Sequence, residues 1–83
     1  MPLSLQRETW VQHLVSQPES GMGYQIATVR LKDGREFHRV WVIGGYLTDR
    51  AGQWTPPFSE DDIERIDVTH DRTGPPVETS RGT

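Results

Sequence analysis

The sequence contains no cysteine, so neither a disulfide nor a thiolate metal site can reinforce the fold. A chain of 83 residues has a thin core, and the remaining means of stabilisation are efficient packing and association with another chain. The chain also lacks a long apolar run and an apolar signal segment near its N-terminus. We therefore expect one small cytoplasmic domain that does not contact a membrane.

Basic residues are in the minority, with nine against twelve acidic residues and a net charge of −3. Proteins that grip a nucleic-acid backbone usually carry the opposite balance, so general nucleic-acid affinity is not expected. Arginine outnumbers lysine eight to one, which is typical of a GC-rich bacterial genome. The bases gather near residues 30–39 and the acids near residues 60–71. This uneven placement favours oriented docking or self-association.

The residue types that enzymes use in catalysis do not form a recognisable catalytic arrangement in this sequence. The serines fall at expected helix caps, helix ends and tails, and acids such as Asp61, Asp62 and Glu64 lie in a run of charges typical of a solvated cap. A metal site of His38, His70 and a carboxylate is conceivable across adjacent strands, but surface histidines are the simpler interpretation. The sequence therefore predicts a non-enzymatic protein with no cofactor and no metal site.

The N-terminal segment from Ser4 to about residue 17 has the pattern of an amphipathic helix. Ser4 is the expected N-cap, and Pro18 ends the pattern. The apolar residues follow helical spacing on one side: Leu3, Trp10, Val11, Leu14 and Val15. A helix of this length is marginal alone, so we expect it to pack on another element.

A β-hairpin is predicted around Asp33-Gly34, which two β-rich runs flank. A two-residue turn would mix polar and apolar side chains on both faces. A three-residue turn with Gly34 in the left-handed conformation instead pairs Arg30 with Glu36 and Val29 with Phe37. We expect this second register because it separates the two faces cleanly.

Carried further along the strands, this register places Tyr24, Ile26 and Val40 on the outer face of the hairpin. Trp41 and Ile43 would then face inward. We call the predicted set of Tyr24, Ile26 and Val40 the outer strip. A sheet that is apolar on both faces needs two covers. The second cover is either the N-terminal helix or a partner chain. The register also turns Arg39 inward, which only a bulge or a position at the rim would justify.

The rest of the chain predicts short strands and a tail. A third strand begins at Tyr46, Ser59 begins a capping box, and a final strand follows from Ile63. We expect the single domain to span residues 1–72. Residues 73–83 are rich in glycine, proline, serine and threonine, and they predict a disordered tail.

An N-terminal helix followed by a bent hairpin and short strands resembles the small Sm-like and SH3-like β-barrels of bacteria. The hairpin at residues 29–37 is similar to the opening hairpin of Sm-like proteins. The resemblance implies a mainly β, partly open barrel of about five short strands. Residues 44–48 and 66–68 lack the RNA-binding signatures of Sm-like proteins, so RNA binding does not follow from the fold.

Seven aromatic residues are many for so thin a domain. Most must lie in the core, and Trp54 before two prolines is the best candidate for an exposed ring. Our first hypothesis is an interaction module that binds a protein partner or itself, as a homo-oligomer, through the outer strip. The alternative is a nucleic-acid-binding barrel that uses the basic hairpin residues Arg30, Lys32 and Arg35 with one or two exposed rings.

Overall fold

The computed structural model describes residues 2–71 and 77–81 of the chain. Its elements are β1 (Leu3–Ser4), α1 (Glu8–Val15), β2 (Tyr24–Leu31), β3 (Arg35–Ile43), β4 (Tyr46–Thr48), a 3-10 turn (Glu60–Asp62), β5 (Ile63–Val68) and β6 (Glu78–Arg81). All pairings are antiparallel, and the strands follow the order β1-β4-β3-β2-β5. The sheet curls into a half-barrel with one short helix near the N-terminus. The predicted mainly β, partly open barrel is confirmed.

The hairpin between β2 and β3 has the predicted three-residue turn. Val29 pairs with Phe37 and Arg30 pairs with Glu36. Gly34 has a φ of 96°, a conformation that a side chain would strain. The Gly34 N–H donates to the Leu31 carbonyl at 3.0 Å and closes the turn. The expected register of the hairpin tip is therefore confirmed.

A β-bulge at Arg39 changes the register beyond this tip. Ala27 pairs with Val40 and Ile26 pairs with Trp41, one residue away from the register at Phe37. Arg39 has a φ of 58°, which marks it as the extra residue of the bulge. The second half of β3 is thereby turned over, so the prediction that Val40 faces outward and Trp41 inward is wrong.

The inner face of the half-barrel holds the core. The core contains apolar residues of β2, β3, β4 and β5, together with Leu5 before the helix and Leu14 on the helix. Its members are Leu5, Leu14, Ala27, Val29, Leu31, Phe37, Val40, Val42, Leu47, Ile63 and Ile66. Helix α1 therefore covers the inner face, through Leu14. A hydrogen bond from His13 supports this position, because its Nε2 donates to the carbonyl of Ile66 at 2.7 Å. Ile66 lies on β5, the last strand in the order of the sheet.

Helix α1 is shorter than predicted and has a different N-cap. It begins at Glu8 after Arg7, while Ser4 lies in β1. The amides just before the helix are bound from far along the chain, since the Glu60 carboxylate accepts the N–H groups of Gln6 at 3.0 Å and of the N-cap residue Arg7 at 2.8 Å. The local pattern could not indicate a cap that another element supplies.

The C-terminal half confirms two predictions and differs from a third. The Asp62 carboxylate accepts the Ser59 N–H at 2.9 Å in the predicted capping box, and β5 follows at Ile63. In place of a disordered tail, Glu78–Arg81 forms β6 and pairs with the first half of β3. Val77, just before β6, packs against the core. The remaining residues of the predicted tail, 73–76 and 82–83, lie outside the described residues.

Candidate functional site

The outer strip is not an exposed surface. Val40 belongs to the inner core, and Ile26 on the outer face is only 1% exposed in the single chain. The segment after β5 is hydrogen-bonded to the backbone of Ile26, since the N–H groups of Thr69 and His70 both donate to the Ile26 carbonyl. Helix α1 packs on the inner face through Leu14, and Ile26 on the outer face is buried without a second chain, so neither α1 nor a partner covers it. The prediction that one of them covers it is therefore wrong.

The Arg39 bulge explains how this segment is held. It brings the Arg39 guanidinium to the Asp71 carboxylate at 3.1 Å, with the Arg39 side chain only 11% exposed. His70, which precedes Asp71, also has a positive φ of 58°. Two strained residues thus accompany one partly buried ion pair, which fastens the chain after β5 over the sheet. The strain at this place has a structural reason.

Trp54 is half-buried, which differs from the expected exposed ring. Its ring centroid lies 5.7 Å from that of Phe37 and 6.3 Å from that of Phe58, and all three rings pack against or within the core. The ring therefore packs against the core beside Phe37, near the hairpin tip. Tyr24 is the other aromatic residue among the predicted binding residues. It begins β2, at the end of the strand away from the hairpin tip, so the two rings are separated.

The basic hairpin is largely neutralised by neighbouring acids. Arg30 Nε lies 3.2 Å from the Glu64 carboxylate, and its Nη1 lies 3.3 Å from Glu36. The Arg35 guanidinium lies 2.8 Å from the Asp33 carboxylate. Lys32 follows β2 on the turn and is exposed. The three predicted binding cations therefore share one end of the hairpin, but two of them are paired within the chain.

Sequence reasoning missed a contact between Ser20 and His70. Ser20 Oγ accepts the Ile26 N–H at 2.8 Å and lies 2.6 Å from His70 Nδ1. A serine beside a histidine is the pairing found in nucleophilic catalysis. Here the nearest backbone donors are engaged, since the N–H groups of Ser20 and Gly21 both point to the Tyr24 carbonyl at 2.9 and 3.3 Å. The pair fastens the segment before β2 and has no oxyanion-binding donors among these amides.

The described chain has a concave groove of about 770 Å³ between α1 and the turn that joins β3 to β4. We refer to it as the groove. One wall is formed by α1 and the other by the end of β3 and the following turn, with these apolar or small lining residues: Val11, Leu14, Val15, Val42, Gly44 and Gly45. Its volume is within the range typical of ligand sites in proteins.

Two of the five large exposed apolar side chains of residues 2–71 and 77–81 line this groove, and the other three are next to lining residues in the sequence or to the glycines of the turn. Val11 and Val15 line it, and Val15 is 76% exposed. Met22, which is fully exposed, precedes a lining glycine, while Ile43 and Tyr46 flank the two glycines of the turn. Exposed apolar side chains are ordinary when scattered, but a contiguous group around a concavity is typical of a binding surface.

The wall between α1 and β2 is held by the buried side chain of Gln25. Its Nε2 donates to the carbonyls of Leu14 at 2.9 Å and Gln17 at 3.0 Å, at and just beyond the end of the helix, where carbonyls lack helical partners. The next residue along the wall, Tyr24, stacks on Trp41 with ring centroids 4.2 Å apart. The groove is therefore lined by ordered side chains, which lowers the entropic cost of binding.

The Tyr24 ring leaves no room for a side chain at Gly21. A Cβ atom at Gly21 would overlap the Tyr24 ring, so the ring lies directly over this glycine. Gly44 and Gly45 have positive φ values of 56° and 84° and have open space around the position of a Cβ. The turn thus presents bare backbone to the groove.

The groove is acidic as well as apolar. Residues 8–25 and 42–46, which supply all of its lining residues except Leu5, contain Glu8 and Glu19 and no lysine or arginine. Glu19 lines the groove, and Glu8 precedes Val11 and Val15 by three and seven residues on the same side of α1.

The sequence held part of the signal for this groove. The apolar stripe predicted on the N-terminal helix is wider than one buried face requires, and the structure divides it. Leu14 is buried and Trp10 packs against the core, whereas Val11 and Val15 remain exposed. The opposite wall at Gly44 and Gly45 could not be paired with this stripe without the tertiary structure.

Comparisons with known proteins identify no relative. No family model, curated protein or solved structure matches the chain. The resemblance to Sm-like barrels therefore stays a prediction. In the part of the chain that the structure describes, no helix is long and apolar enough to cross a membrane. The same residues bring no three histidine or carboxylate side chains together as ligands for a metal ion.

Proposed function

We propose that this protein is a non-enzymatic interaction module that binds an apolar segment of a protein partner in the groove. The observation that carries the proposal is a concavity lined by two exposed apolar side chains, Val11 and Val15. They are 37% and 76% exposed. Covering such side chains gains about 25 cal/mol for each Å² of apolar surface removed from water, which gives the groove its affinity.

The alternative, nucleic-acid binding through Arg30, Lys32 and Arg35, has less support. The guanidinium groups of Arg30 and Arg35 already lie against carboxylates, and a phosphate would have to compete with these pairs. The net charge of −3 also opposes the approach of a polyanion. A steep loss of affinity for single-stranded nucleic acid with added salt would favour this alternative instead.

The experiment measures binding of a neutral amphipathic peptide, with leucine on one helical face and glutamine elsewhere, by fluorescence anisotropy. We expect Val15→Asn to weaken binding several-fold, because Val15 is a lining side chain with much of its surface exposed. The matched control is Gln12→Asn, which places the same residue on α1 outside the groove lining. Equal affinity of the two variants would refute binding at the groove.

A further inference from the structure

We infer that the groove binds a segment of another protein in which apolar side chains are flanked by lysine or arginine, and not a second copy of this chain. The inference rests on the proposed function and specifies the partner. It follows from the charge of the groove and from where the chain places its remaining apolar and basic side chains.

The first argument is charge complementarity. Glu19 lines the groove, and Glu8, which is not a lining residue, lies in the first turn of α1, three residues before the lining residue Val11. The nearest basic residue in the sequence, Arg7, forms an ion pair with Asp61. No cation from residues 8–25 or 42–46 offsets the two carboxylates. An apolar segment with basic flanks would place positive charges against them, whereas acidic flanks would be repelled.

The second argument concerns a second copy. Val11 and Val15 are the exposed apolar side chains among the groove's lining residues, so a two-fold contact between copies through the groove would pair this face with itself. A two-fold symmetric contact would bring Glu8 and Glu19 of both copies into one interface. The groove segments supply no lysine or arginine to compensate them. A different protein can supply the missing cations, whereas a second copy in this two-fold contact cannot.

The third argument is that the acids at the groove are available for this role. The Glu19 carboxylate accepts one hydrogen bond, from the Gly23 N–H at 2.7 Å, and Glu8 accepts a long one from Gln12 Nε2 at 3.5 Å. Neither carboxylate has an ion pair with a described arginine or lysine. By contrast, Glu64 and Asp67 on β5 each lie against an arginine.

The experiment compares three peptides of equal length and identical leucine pattern, with lysine, glutamine or glutamate on the polar face. We expect the lysine peptide to bind about tenfold more tightly than the glutamine peptide and the glutamate peptide to bind most weakly. Added salt reduces this preference. The double variant Glu8→Gln/Glu19→Gln reduces it too, while the new amide oxygen at position 19 can still accept the Gly23 N–H. The matched control, Glu64→Gln/Asp67→Asn, makes the same change in net charge on β5 and leaves the preference intact.

The outcomes separate the two proposals. If none of the three peptides binds, groove docking itself fails. If all three bind alike, groove docking stands and the inference about charge is overturned. Sedimentation velocity of the full chain tests the second copy: we expect a monomer, and a dimer that Val15→Asn dissociates would overturn the inference in favour of self-association.

Discussion

Replacing Gly21 by alanine should displace the Tyr24 ring, which belongs to one wall of the groove, because the added Cβ would overlap this ring. The ring must move, and its stack on Trp41, with centroids 4.2 Å apart, is lost. An aromatic pair contributes about 1 kcal/mol beyond burial. Exposing a half-buried ring costs about another 1 kcal/mol. We therefore expect the free energy of unfolding to fall by about 2 kcal/mol, or roughly 10 °C in melting temperature.

The assay is urea denaturation of the wild type and of Gly21→Ala, with near-UV circular dichroism as a reporter of the Tyr24–Trp41 stack. The control is the same substitution in a Tyr24→Ala background. Gly21 does not have a positive φ, so an alanine there is compatible with the backbone once the ring is absent. It should then be neutral, or stabilise by about 0.5 kcal/mol by restricting the unfolded chain. The reasoning is refuted if Gly21→Ala costs the same with and without the Tyr24 ring.

Three further predictions concern the turn, the bulge and the loop before Trp54. Gly34→Val should lower the free energy of unfolding by about 2 kcal/mol, because a β-branched residue is strained at a φ of 96°; an unchanged urea midpoint would contradict this. Val40→Asp should leave the chain unfolded by circular dichroism, because Val40 is fully buried; a folded monomer would restore the original outer strip. The pKa of Asp49 lies below its ordinary value of 3.8, because the N–H groups of Gln53 and Trp54 donate to its carboxylate. This contribution to stability is complete above pH 3.8 and is lost as the pH falls through the lower pKa of the folded state. Thermal melts of Asp49→Asn should therefore depend less on acid pH than those of the wild type.

Local chemistry determines the parts of the fold that the sequence predicted. The Asp33-Gly34 turn sets its own register, since Gly34 adopts the positive φ and the Asp33 carboxylate accepts the Arg35 N–H at 3.0 Å. The capping box at Ser59 likewise depends on a residue three positions away. Such features follow from neighbours in the chain, so a single sequence contains them.

Contacts between distant segments determine what the sequence did not predict. The Arg39 bulge is accompanied by an ion pair with Asp71, 32 residues later. The alternation of inward and outward side chains along a strand gives no sign of one extra residue. The faces predicted for the part of β3 beyond the bulge are therefore the reverse of those in the structure. The amides that lead into α1 are likewise bound by a distant residue, Glu60, which lies 54 residues after Gln6 and 53 after Arg7. The groove also needs tertiary information, because its walls come from α1 and from a turn distant from it in the sequence.

The most direct test of the proposed binding surface is a heteronuclear NMR titration of the full chain with the lysine and leucine peptide. Amide shifts should concentrate on α1, on Gly23 and on the turn at Gly44 and Gly45, the elements that form the groove. The shifts should be much smaller for Val15→Asn at the same peptide concentration. Shifts that centre on the basic hairpin at residues 30–36, or that Val15→Asn leaves unchanged, would contradict docking at the groove.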